Sequence, residues 1–133
     1  FHMKNASSSP ARAINFALQE AKGEIICLMI DGAHILTPGV FRMALSSYKA
    51  FENAIVAIRY FYLGMEAQTE SIARGYNKLA EDSLLEKIQW PMDGYRLYEI
   101  GTPLPSGGSL PTWFNRMFES NCLFMKRAVF EAL

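Results

Sequence analysis

Asp31 is the residue whose type and position most directly suggest chemistry. It follows the unbroken apolar run Ile25 to Ile30 and is itself followed by Gly32. A run that short and that continuous reads as a strand buried on both faces rather than a membrane span. Asp31 would then stand in the crevice beyond the carboxyl end of a central strand, where open α/β sheets place their ligands. Gly32 would let the backbone turn or come close to a ligand there. The same residue types also fit a turn in which Asp31 only caps its own backbone, and both readings stay open. Glu81 and Asp82 are an acidic pair, but adjacent residues of a helix point about 100° apart, so they read as a solvated face. Cys27 and Cys122 lie in apolar runs far apart in sequence and read as buried, reduced thiols of a cytoplasmic protein.

The elements that must position these residues follow from periodicity and punctuation. Ser9-Pro10 has cap and first-turn chemistry, Ile14, Ala17, Leu18 and Ala21 mark one helical face, and Gly23 is expected to close that helix in a left-handed conformation. Thr37-Pro38 repeats the start signal, ahead of the stripe Val40, Ala44, Tyr48 and Phe51. Ala54 to Leu63, closed by Gly64, is rich in β-branched and aromatic residues and reads as a second strand. Glu66 to Gln89 reads as two helices broken near Gly75-Tyr76. After the Asp93-Gly94 turn, Tyr95 to Ile100 alternates as a short hairpin or edge strand would. Residues 101–112 read as a mobile flap, rich in proline and glycine. Cys122 to Met125 is a third buried strand, and Lys126 onward begins a helix. The strands, at roughly 24–30, 54–62 and 121–125, are expected in one α/β, mostly parallel layered sheet flanked by helices.

Composition narrows the function classes. The chain has 133 residues, half of them apolar, which suits a single domain with a sizeable core. Thirteen basic residues balance thirteen acidic ones, so no global field favours nucleic acid or an anionic membrane. No apolar run is long enough to span a membrane. Phe1-His2-Met3 reads as a cloning scar, which removes His2 from any mechanism and leaves 4–133 as one domain.

Asn15, Gly23-Glu24, the apolar run, Asp31 and Thr37-Pro38-Gly39-Val40, in that order, resemble the middle of a family 2 glycosyltransferase, a nucleotide-sugar enzyme of the GT-A fold. Asn121 to Glu131, an apolar strand, a basic pair and then Phe130-Glu131, is similar to the later strand and helix of the same family. Together these cover about a third of the chain, which would make it part of a GT-A domain. The resemblance implies sugar transfer from a nucleotide-sugar donor to an acceptor hydroxyl, with inversion and with help from a divalent cation, Mg²⁺ or Mn²⁺. Asp31, Gly32 and Ala33 would form the donor-binding turn. Asp31 would be a metal ligand, with His34 as a further candidate. The family's second acid is replaced here by Ala33. Trp113, Glu119, Ser120 and Asn121 would line the acceptor side. The nucleotide-side unit is expected ahead of Asn5 and the general base beyond this chain, so the catalytic residue is unassigned and the isolated chain is expected to be inactive.

The alternative is a non-catalytic GT-A-like binding or self-association domain. In either case a homo-oligomer is expected, because a missing nucleotide-side unit would leave a sheet edge to cover.

Overall fold

The computed structural model describes residues 8–30, 34–103 and 121–132. The first helix, α1 (Ala11–Glu20), starts where Ser9 Oγ accepts from the Ala11 N–H, at 3.3 Å. Ile14, Leu18 and Ala21 are its half-buried residues, spaced as one helical face. It does not end on a left-handed Gly23. The chain leaves in an extended conformation at Ala21, and the Arg127 side chain takes up the carbonyls at this end. Next come β1 (Ile25–Met29) and α2 (Val40–Ala50). The residue capping α2 is Gly39, with φ +84°, so the helix begins just beyond the expected Thr37-Pro38 signal.

The expected mostly parallel sheet is overturned. The last strand, β5 (Cys122–Lys126), lies between β1 and β2 (Val56–Ala57) and is antiparallel to both. Ile25 faces Lys126 and Met29 faces Cys122, while Val56 faces Phe124. β1 and β2 therefore run in the same direction, but as flanking strands rather than neighbours. Side-chain alternation reads the same in either direction along a strand, so the apolar pattern of 122–125 could not reveal its orientation. Nor is β1 buried on both faces: Ile26 is buried, whereas Met29 is 47 % exposed, because β1 is the edge of this sheet among the described residues.

The expected strand at 54–62 is split. β2 joins the first sheet, and β3 (Phe61–Leu63) pairs antiparallel with β4 (Gly101–Pro103) in a second one. The interruption spans Ile58 to Tyr60 and contains Arg59, the one charge of the apolar run. The break between helices is where the sequence puts it. Gly75 has φ +94°, and Asn77 caps α4 (Lys78–Lys87) by accepting from the Leu79 and Ala80 N–H groups, after the short α3 (Gln68–Ala73).

Tyr95 to Ile100 is not a strand. Gly94–Glu99 forms a 3₁₀ helix capped by the Asp93 carboxylate, and Leu97 and Ile100, three apart, both turn inward. They pack with Ile88, and Leu63, Leu84, Leu85 and Trp90 close around them. A separate core joins Ala44 of α2 to Cys122 and Phe124 of β5. Residues 101–103 are strand; the rest of the expected flap lies outside the described residues. The chain continues from β5 directly into α5 (Arg127–Glu131). No helix among the described residues is long and apolar enough to cross a membrane.

Candidate functional site

Between the two sheets lies a cleft of about 520 Å³. It begins at Met29, the carboxyl end of β1, and resumes at His34 to Thr37, which lead into α2. The chain between β2 and β3 supplies Arg59 and Tyr60, β3 supplies Tyr62, α4 supplies Glu81, and the 3₁₀ helix supplies Leu97 and Tyr98. Asn121 and Cys122 close the cleft at the start of β5.

Arg59 is the least ordinary of these residues. Its Nη1 is fully buried and has no hydrogen-bond partner among the described residues. A buried donor without a partner costs about 1–3 kcal/mol, and more when the group is charged. Around it stand aromatic walls. Tyr60 and Tyr62 meet edge to face at 5.9 Å, and Phe61 and Tyr98 do so at 5.4 Å. Just ahead of α4, Tyr76 Oη donates to Glu81 Oε2 at 3.4 Å. Burial first, then the charge and hydrogen bond of Glu81, push the Tyr76 phenol above its usual range, so it stays a donor at neutral pH. The cleft thus offers a cationic fork, tyrosine faces and one acceptor carboxylate, a set suited to a ligand that is anionic at one end and rich in hydroxyls at the other.

Of the residues proposed from sequence, His34 and Asn121 are brought together. The Asn121 side-chain amide donates to His34 Nε2 at 3.3 Å, and both line the cleft. Asp31, Gly32, Ala33, Trp113, Glu119 and Ser120 lie outside the described residues. No group of three or more His, Cys, Asp or Glu side chains able to hold a metal occurs among the described residues. His34 with an amide is not the oxygen-rich donor set that Mg²⁺ or Mn²⁺ takes.

Two readings of the sequence change here. Glu81 is half-buried at the cleft instead of lying on a solvated face. Cys27 and Cys122 are not both buried: Cys27 is exposed and Cys122 is buried, and the fold brings their sulfurs to 3.9 Å from each other. Arg59 had a sequence signal, a single cation inside a ten-residue apolar and aromatic run. Tyr76 and Glu81 had none, because their meeting with β3 depends on how the two sheets are set. No protein-family model, no curated protein and no solved structure matches this chain.

Proposed function

We propose that the cleft binds a nucleotide-sugar, and that the chain is part of a glycosyltransferase that passes the sugar to an acceptor hydroxyl. The observation that carries this reading is the buried Arg59 Nη1, without a hydrogen-bond partner among the described residues, on a residue that lines a cleft walled by tyrosines. A phosphoryl oxygen of the donor that displaces the groups covering Nη1 would satisfy that N–H with a charge-assisted hydrogen bond. The sugar would lie against Tyr60, Tyr62 and Tyr98, with its hydroxyls within reach of Glu81 and Gln68. As the anomeric carbon leaves the diphosphate for the acceptor oxygen, negative charge grows on the departing phosphate, and Arg59 would offset that charge. Asp31 keeps the donor-side role that the resemblance implies. No step in this reading runs through a metal.

A panel of uridine- and guanosine-diphosphate sugars, titrated calorimetrically with and without Mn²⁺, tests the binding. Arg59→Met is expected to weaken the best ligand by about 10- to 100-fold, the loss of one charged hydrogen bond. In the full-length protein, Asp31→Asn is expected to cut turnover by about 100-fold or more. A wild-type chain that binds none of the panel, or a full-length Asp31→Asn protein with wild-type turnover, would overturn the reading.

A second reading, a non-catalytic binding or self-association domain, is favoured by the exposed apolar residues of α2: Phe41, Met43 and Leu45 are each more than half exposed. It is distinguished by concentration-dependent sedimentation without any nucleotide-sugar binding.

A further inference from the structure

β1 and β5 place two thiols at a diagonal of the antiparallel ladder. Cys27 faces Phe124 and Cys122 faces Met29, so the cysteines sit two residues out of register on the same face of the sheet. Their sulfurs are 3.9 Å apart and no disulfide joins them. One is open to solvent and the other is 5 % exposed, an arrangement in which a small reagent can reach only the first. Cys122 also lines the cleft. We propose that Cys27 and Cys122 form a dithiol modification site, which a low-molecular-weight disulfide of the oxidised-glutathione class converts to an intramolecular disulfide.

The chemistry balances in two exchanges. The Cys27 thiolate attacks one sulfur of oxidised glutathione, forming a mixed disulfide and releasing one glutathione thiolate. Cys122 Sγ then attacks Cys27 Sγ and gives up its proton, and the second glutathione thiolate leaves and is protonated. Two protein thiols are oxidised and one glutathione disulfide is reduced to two molecules of glutathione. For the bond to form, the sulfurs must approach to about 2.05 Å, with the α-carbons drawn to disulfide distance. β1 can supply that shift because it is the sheet's edge among the described residues, with β5 as its one ladder partner there. The product staples the middle of β1 to the cleft end of β5, beside Asn121, and joins residues 95 positions apart in the chain. A closed loop that long restricts the unfolded chain and raises the denaturant midpoint.

The test is incubation of dilute folded protein with oxidised glutathione, followed by non-reducing peptide mapping and urea titration. The wild type is expected to lose two hydrogens in mass, to yield joined peptides containing 27 and 122 in the monomer fraction, and to unfold at a higher urea midpoint that dithiothreitol reverses. Cys122→Ser is expected to stop at a glutathione adduct on Cys27, and Cys27→Ser to remain unmodified while folded. A wild type that stops at the Cys27 adduct, or that crosslinks only between chains, would overturn the proposal. Nucleotide-sugar binding does not enter the readout, so this result and the proposed function stand or fall separately.

Discussion

Arg127 Nη2 donates to the carbonyl of Ala21, 106 residues earlier in the chain, and also to that of Gly23, while Nη1 reaches Leu18. One side chain thereby satisfies carbonyls that α1 leaves unpaired at its end, and it fixes α1 against the junction of β5 and α5. Arg127→Ala is expected to lower stability by about 2 kcal/mol, from the loss of partly buried charge-assisted bonds. Arg127→Lys is expected to recover only part, since an ammonium cannot fork to separate carbonyls. Urea denaturation of the three proteins measures both effects.

Gly94 is buried, and a Cβ at that position would lie 2.7 Å from both Cγ and Cδ of Pro38. A proline ring cannot swing away as a flexible side chain would. Gly94→Ala should therefore cost about 1–3 kcal/mol, an overpacking penalty. Adding Pro38→Ala removes the obstructing ring atoms and is expected to restore part of the loss, a coupling that a double-mutant cycle reads directly.

Arg59 is expected to behave in the opposite sense. Without ligand, its buried Nη1 costs stability, so Arg59→Met, which keeps most of the stem's bulk, should raise the unfolding free energy by about 1 kcal/mol. Thermal melts with and without a bound diphosphate sugar would show the exchange: the variant more stable when empty, the wild type gaining more from ligand. A variant that melts lower than wild type when empty would mean that Arg59 is already satisfied in the folded chain.

At alkaline pH the fold should weaken for a reason that can be traced to single groups. Burial, and then the neighbouring Cys27, push the Cys122 thiol from its ordinary 9.0 up to about 11. Burial, then the charge of Cys27, also raises the Tyr48 phenol. Between these values the folded chain keeps protons that the unfolded chain has released, so stability falls as pH rises from about 9 toward 11. Below about 9 these groups are neutral in both states and contribute no slope. Denaturant midpoints measured across that range should decline, and Cys122→Ala should flatten the early part of the decline.

Local signals carried much of this fold and little of its assembly. The helix starts, the break at Gly75 and the three apolar runs were legible because each depends on residues a few positions apart. The direction of β5 was not, since Cys122 to Met125 has the same pattern whichever way it runs. The 3₁₀ helix at Gly94–Glu99 was misread as a strand because Leu97 and Ile100 are separated by a spacing that fits a tight helix, while the aromatic residues around them imitate alternation. The candidate cleft was the least legible part. Arg59 stood out as a charge in an apolar run, but the tyrosines and Glu81 come from segments whose meeting is decided by packing. Asn121 and His34, both named from sequence, do meet.

The placement of β5 bears on how this chain acquires its structure during synthesis. The strand that joins β1 to β2 follows both in the chain, so neither can complete the ladder until residue 126 has left the ribosome. Until then β1 and β2 present unpaired edges and apolar side chains, the surfaces on which nascent chains aggregate. Contacts between residues about a hundred positions apart also make closure slow relative to helix formation. A chain truncated before Cys122 would keep the segments of α1 to α4 yet lack the strand that makes one sheet of β1 and β2, and it should be a substrate for chaperones and proteases.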